Sequence, residues 1–337
     1  MPVDIALDAM GSDKAPDPEI RGAILAARTL DIRVHLIGPE EILRPKLREA
    51  LRGYRRQDRP PVFLVQASEW ITMQDKAALA VRSKRDSSMR VGLKMVREGR
   101  AAGFVTAGNT GAAMATAKMV LGSLGGVDRP ALAAVFPTST GSPTLVLDVG
   151  ANSDCDPENL VQFAFMGDRY ARDVLRIANP RVGLLSIGEE DSKGNALTKD
   201  TLPLLRETKL NFIGNVEGRD LFNGRVDVVV CDGFVGNVAL KTAEGLAKLV
   251  NTSLRESLKS TVTSQVGALL SQKAFAAFKK RLDYTEYGGA PLLGLRGAAI
   301  VGHGSSNDRA IMNGIRVAAE FAGAHVGASI EAALANR

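Results

Sequence analysis

Two cysteines, Cys155 and Cys231, and three histidines, His35, His303 and His325, are all that 337 residues offer toward a disulfide framework or a zinc cluster. Neither is built from so few scattered ligands, and two thiols fit a reducing cytoplasm. Aromatic residues are equally sparse at 5%. They do not interleave with the basic stretches, so the stacking platforms of a nucleic-acid binder are missing and no nucleic-acid partner is expected. No run of about 18 apolar residues occurs, which excludes a membrane-spanning helix. The N-terminus enters Val3-Asp4-Ile5-Ala6-Leu7-Asp8 without the basic start and apolar core of a secretory signal. Also absent is a Gly-Lys-Ser/Thr after any strand, or a Gly-x-Gly-x-x-Gly followed by a distant acid, so ATP hydrolysis and dinucleotide reduction lose ground. No repeat, low-complexity segment or linker divides the chain, which reads as a single domain over 1–337.

What is present is an ordinary globular composition, 45% hydrophobic and 24% charged, with a net charge of +6. The excess calls for an acidic or anionic partner. It is concentrated. Residues 41–60 carry Arg44, Lys46, Arg48, Arg52, Arg55, Arg56 and Arg59 against Glu41, Glu49 and Asp58. Residues 251–296 carry Arg255, Lys259, Lys273, Lys279, Lys280, Arg281 and Arg296 against Glu256, Asp283 and Glu286. A solvated helix face competes with a docking surface for the first stretch.

Short apolar runs alternate with helical patterns, the signature of βαβ units and a mainly parallel sheet. Strands are expected at Val3–Leu7, Val34–Ile37, Val62–Val65, Gly103–Thr106, Ala131–Phe136, Thr144–Leu147, Val182–Ile187, Asn211–Ile213, Val226–Val230 and Ala298–Val301. Helices are expected from about Pro18, over Asp75–Lys84 and Ala112–Leu121, and from the end of the last strand to about Leu334. Ala131–Phe136 and Thr144–Leu147 read as a hairpin around Ser139-Thr140-Gly141.

Four strand ends lead into small, donor-rich turns: Gly108-Asn109-Thr110-Gly111, Gly150-Ala151-Asn152, Gly233–Asn237 and Gly302–Asn307. A parallel sheet would set them along one carboxyl edge, where open α/β folds bind ligands. Glycine permits close backbone approach, and helix N-termini with Asn, Ser or Thr donors suit an anion with several oxygens, phosphate above all. Each turn taken alone is equally an ordinary βα turn. His303 beside Ser305 and Ser306 invites a Ser–His reading, but without a nucleophile elbow an N-cap cluster fits better. Cys231, at the end of a very apolar strand, reads as a buried thiol rather than a nucleophile.

Asp8-Ala9-Met10-Gly11, Arg85-Asp86-Ser87-Ser88-Met89, Ala107-Gly108-Asn109-Thr110-Gly111, Asp148-Val149-Gly150-Ala151-Asn152, Asp232–Asn237, Tyr287–Gly294 and Gly302-His303-Gly304-Ser305-Ser306 together resemble the bacterial phosphate acyltransferase family, PlsX. The resemblance spans nearly the whole chain in order. Ser12 and Lys14 depart from the family's usual Gly and His, which leaves no histidine in the first loop for catalysis. The resemblance implies a three-layer α/β/α fold related to phosphotransacetylases and isocitrate-dehydrogenase-like proteins. It implies transfer of a fatty acyl group from acyl-acyl carrier protein to inorganic phosphate, for phospholipid synthesis. It further implies a homodimer held peripherally on the inner face of the cell membrane. Acyl transfer to phosphate from acyl-coenzyme A, as in a phosphotransacetylase, or an inactive membrane-binding scaffold, are the rival readings.

A thioester needs neither metal nor cofactor to react with phosphate; positioning and oxyanion stabilisation suffice. Lys193 and Asn237 are the expected catalytic pair and match positions the resemblance marks. Against this, Lys193 has Glu189 and Asp191 for company, and Asn237 has the makings of a helix N-cap. Asp8, Gly11, Ser87, Ser88, Asn109, Thr110, Gly111, Asn152, Gly236, Lys241, His303, Gly304, Ser305 and Ser306 complete the expected phosphate and substrate site. Within 246–282, Leu246, Val250, Leu254, Leu258, Val262, Val266 and Leu270 recur every fourth residue. Such a stripe winds about 240° around a straight helix, so a hairpin broken between Ser260 and Gly267 is expected, with Phe275 and Phe278 on the returning arm. Its tip, Val266, Leu269 and Leu270, is flanked by basic residues and suits an anionic membrane surface; a dimer contact is the alternative, and both are compatible.

Overall fold

The computed structural model describes residues 2–275, 278 and 288–337. Lys279, Lys280, Arg281, Asp283, Glu286 and Tyr287, named above, lie outside them. The first half runs β1 (Val3–Asp8), α1 (Asp17–Thr29), β2 (Ile32–Gly38), α2 (Glu40–Ala50), β3 (Val62–Gln66), α3 (Ala77–Ser83), α4 (Ser88–Arg97), β4 (Gly103–Thr106), α5 (Thr110–Leu121), β5 (Ala131–Phe136) and β6 (Thr144–Leu147). It continues with α6 (Pro157–Asp173), β7 (Val182–Leu185), α7 (Ala196–Arg206), β8 (Phe212–Val216), α8 (Asp220–Asn223), β9 (Val228–Val230), α9 (Gly233–Lys259) and α10 (Val262–Leu270). The chain closes with β10 (Ala290–Leu293), β11 (Ala298–Val301), α11 (Asp308–Gly323) and α12 (Val326–Ala335).

One 11-stranded sheet has the order β3-β2-β1-β4-β11-β10-β5-β6-β9-β7-β8. Neighbours pair in parallel except at β11–β10, β10–β5 and β5–β6. Three successive antiparallel pairings reverse the direction, so β6, β9, β7 and β8 run opposite to β3, β2, β1, β4 and β11. The expected single carboxyl edge is therefore corrected: the turns after β1, β4 and β11 lie at one edge and those after β6, β7 and β9 at the other. The Ala131–Phe136/Thr144–Leu147 hairpin pairs as expected, Ala133 opposite Leu147.

Strand residues alternate between two faces as the pleat requires. Ala6, Val146 and Val229 face a core with α4 and α5 residues, against which Ala239, Leu240 and Ala243 of α9 pack. On the other face, Ile5 and Leu7 meet α1 and α11, while Leu145, Val228 and Val230 meet α6 and α12. Helices thus cover both faces of the sheet. Pro18 sits in the first turn of α1, as its missing N–H favours. The final helix, expected to run unbroken, is interrupted between α11 and α12 at His325, whose φ is 51°. Strand β10 is not among the strands expected from the apolar runs. α9 ends at Lys259 and α10 starts at Val262, its N-cap Thr261 accepting from the Ser264 N–H. The break thus falls at the start of the expected interval.

Candidate active site

At the first edge, Asp8 is 1% exposed and ties the turn together. It accepts from the Met10 N–H at 3.1 Å and from Thr106 Oγ1 at 2.8 Å. Thr106 Oγ1 in turn accepts from the Gly108 N–H. Gly11 lies so close that a Cβ there would sit 2.8 Å from the Gly108 nitrogen, which explains glycine in this loop. Ser87 and Ser88 are buried at the start of α4, Ser88 beside Asp8. Asn109 caps α5, accepting from the Ala112 N–H while its amide donates to Asp75 O at 3.1 Å; Thr110 and Gly111 form the first turn that this cap holds. In the last turn His303 Nδ1 and Ser305 Oγ are 2.8 Å apart, the Ser306 N–H donates to His303 O, and Asn307 caps α11. The group behaves as an N-cap cluster, and no carboxylate orients the imidazole among the described residues. The Gly304 carbonyl accepts from the Asp13 N–H, joining this turn to the first loop.

At the second edge Asp148 is fully buried and accepts from the N–H groups of Leu132, Gly150, Ala151 and Asn152 and from the Asn152 amide. The Asn152 amide also donates to Pro130 O. Asn152 O and the Asp232 carboxylate and carbonyl accept the N–H groups of Gly233, Phe234, Val235 and Gly236. This corrects the expectation that the α9 N-terminus offers free N–H groups to an anion. The cap is Asp232 rather than Asn237. Gly236 is fixed by packing, since a Cβ would lie 1.9 Å from Asp148 O. Asn237, exposed and packed against Gly150, therefore keeps its amide for other work. Cys231 is buried, donates to Asp148 O at 3.6 Å, and burial pushes its thiol up, as an inert thiol should be.

Lys193 follows β7, the strand paired with β9, so its loop and that of Asn237 leave neighbouring strands. Two of its three acidic neighbours, Glu189 and Asp191, are occupied. Arg225 and Arg219 hold Glu189, and Arg206 grips Asp191 with two bonds of 2.7 Å. Lys193 is exposed and without an ion pair among the described residues. From its edge α9 runs back across the sheet, so that Lys241, paired with Glu244 at 2.9 Å, shares a cleft of about 1790 Å³ with His303 and Ser305 of the first edge. Gly111 and Asn152, also from opposite edges, line a second cavity of about 220 Å³.

The family model for the fatty acid synthesis protein matches residues 3–329. Curated relatives called phosphate acyltransferase include one from Acidobacterium capsulatum, 68% identical over 98% of this chain and 97% of its own. Another, from Koribacter versatilis, is 63% identical over 95% and 90%. The chain belongs to the phosphate acyltransferase family.

The chain also shares its fold with a phosphotransacetylase from Streptococcus pyogenes, at a TM-score of 0.61 and 16% identity over 95% of this chain and 94% of that one. The EutD phosphotransacetylase from Staphylococcus aureus gives 0.59 at the same identity and coverage. A buried acid beside the first edge was not expected from the sequence. Glu19, 0% exposed, accepts from the Ser12 N–H at 3.0 Å, and burial together with Asp8 pushes its carboxyl up to about 7. A signal existed: Glu19 stands one and two turns before Ala23 and Ala26, on the buried side of α1.

Proposed function

We propose that this chain transfers a fatty acyl group from acyl-acyl carrier protein to inorganic phosphate, giving acyl phosphate for phospholipid synthesis. Family membership over nearly the full chain is the observation that carries the reading. A phosphate oxygen adds to the thioester carbonyl, the C–S bond breaks, and the departing thiolate takes up the proton that the phosphate gives up. Lys193, with Glu189 and Asp191 occupied by arginines, offsets phosphate charge and the developing oxyanion; Asn237, released from capping, orients phosphate or carbonyl through its amide. Hydrogen bonds and burial among Asp8, Asn109 and Asn152 support a structural role for them, holding the turns that frame the cleft. His303, Ser305 and Lys241 line that cleft and remain candidates for substrate contact. No helix among the described residues is long and apolar enough to cross a membrane. The exposed Val266, Leu269 and Leu270 favour peripheral contact with an anionic membrane surface.

The test is acyl phosphate formation from palmitoyl-acyl carrier protein and phosphate, with palmitoyl-coenzyme A alongside. The Lys193→Ala variant is expected to lose at least about a hundredfold in turnover, roughly 3 kcal/mol of transition-state stabilisation, while melting like wild type. Turnover with coenzyme A alone would move the chain to the phosphotransacetylase reading, which the shared fold favours as the second choice. An unimpaired variant would discard Lys193. Leu269→Ser/Leu270→Ser is expected to lose flotation with phosphatidylglycerol vesicles; undiminished flotation would discard the tip.

A further inference from the structure

We infer that the cavity of about 220 Å³ between the two edges receives the part of the fatty acyl chain nearest the thioester, an inference that rests on the acyl-transfer reading above. Position is the first argument. In the turn after β6, Gly150 stands against Asn237, since a Cβ there would lie 3.5 Å from the carbon of the Asn237 amide. The next two residues, Ala151 and Asn152, line the cavity. A thioester carbonyl held by the Asn237 amide therefore has the cavity one residue further along the same turn.

The lining suits a hydrocarbon. Gly111, Met114, Ala115 and Lys118 come from α5, at the i, i+3, i+4, i+7 spacing that sets them on one stripe of the helix. Leu292 and Leu295, both buried, supply apolar wall from the β10 side. The polar group nearest them is already engaged: the Asn152 amide donates to Pro130 O and to Asp148, which leaves it no N–H for a ligand. Lys118 is exposed, and its stem can lie along the wall while the ammonium stays in water. One such cation without converging side-chain donors matches phosphate poorly. Small residues keep the space open. The fold does not demand glycine at 111, because a Cβ there would come no closer than 3.4 Å to a neighbour. The cavity of about 220 Å³ holds about seven groups the size of a water molecule, at ~30 Å³ each. A methylene is of that size, so about half of a palmitoyl chain fits. The remainder leaves past the exposed Ala115, where Met119, one turn on and 48% exposed, continues the apolar surface.

The experiment uses the full chain with Ala115→Phe, which fills the cavity from an exposed helix position outside the candidate catalytic set. Acyl phosphate formation is followed with palmitoyl- and butyryl-acyl carrier protein, whose carrier and thioester arm are identical. For the palmitoyl donor kcat/KM is expected to fall at least about tenfold, since each methylene left in water forfeits roughly fourfold. For the butyryl donor it is expected to stay within about twofold of wild type. The milder Ala115→Leu, checked for an unchanged thermal midpoint, is expected to shift the palmitoyl-to-butyryl ratio in the same direction by less. A ratio unchanged in both variants would overturn the inference. Equal losses with both donors would overturn it as well, because the cavity would then hold something the donors share, the arm or the phosphate. If wild type formed acyl phosphate from neither donor, the acyl-transfer reading would fall. Binding of cis-parinaric acid, a fluorescent fatty acid, would still decide the cavity: affinity at least about tenfold weaker for Ala115→Phe supports it, equal affinity rejects it.

Discussion

Lys193 stands among Glu189, Glu190 and Asp191, and a lysine so placed ordinarily spends its charge on a neighbour. Sequence alone leaves that competition open, because the residues that decide it are remote in the chain. Arg206, Arg219 and Arg225 reach back from 15 to 36 positions away and take Asp191 and Glu189. Their bonds hold both carboxyls below the usual carboxylate range. The same logic frees Asn237, since Asp232 supplies the cap. A consequence follows for Arg206, which touches no candidate catalytic group. Arg206→Ala releases Asp191 to compete for Lys193, so the KM for phosphate is expected to rise about three- to tenfold. Adding Asp191→Ala removes the competitor and is expected to restore it. Steady-state kinetics on the single and double variants measures this; a double variant no better than the single would mean that Arg206 acts otherwise.

The loop between β1 and α1 is the element in which burial and charge conflict most. Its helix was legible from Pro18, but the buried side of that helix contains Glu19, and Asp8 lies close enough to raise its pKa further. Burial raises Asp8 also. The helix N-terminus favours a charged carboxylate, yet only modestly, and desolvation prevails. A carboxyl whose folded pKa is raised from 4.5 to about 7 stabilises the fold fully below the unfolded value and loses that contribution as pH climbs through the folded one. The ceiling for Glu19 is roughly 3 kcal/mol. Wild type is therefore expected to lose thermal midpoint between about pH 5 and pH 8. Glu19→Gln keeps an acceptor for the Ser12 N–H without a charge, and is expected to lose distinctly less. Thermal melts of both proteins across this range decide it, and parallel curves would refute the assignment to Glu19.

At the scale of the molecule, strand identity was largely readable from the apolar runs, whereas sheet direction was not. Direction depends on β10, whose Ala290-Pro291-Leu292-Leu293 looks like motif rather than strand, and on its antiparallel seat between β11 and β5. That reversal puts Asn237 and His303 at opposite edges, and it is α9 that bridges them. The bridge is exposed to an unusual degree. Over 27 residues α9 buries only Gly233 and Gly236, and Leu246 and Leu249 stay 59% and 61% exposed. Helices of this kind owe their stability to packing rather than propensity, so a second copy covering these leucines is the simplest completion, in accord with the expected homodimer. Leu246→Glu/Leu249→Glu should then convert a dimer to a monomer in light scattering and reduce far-UV helicity. Leu269→Ser/Leu270→Ser, at the tip, should leave the mass unchanged. A wild type that is monomeric at micromolar concentration while α9 stays protected from hydrogen exchange would exclude the dimer and require α9 to be held within one chain.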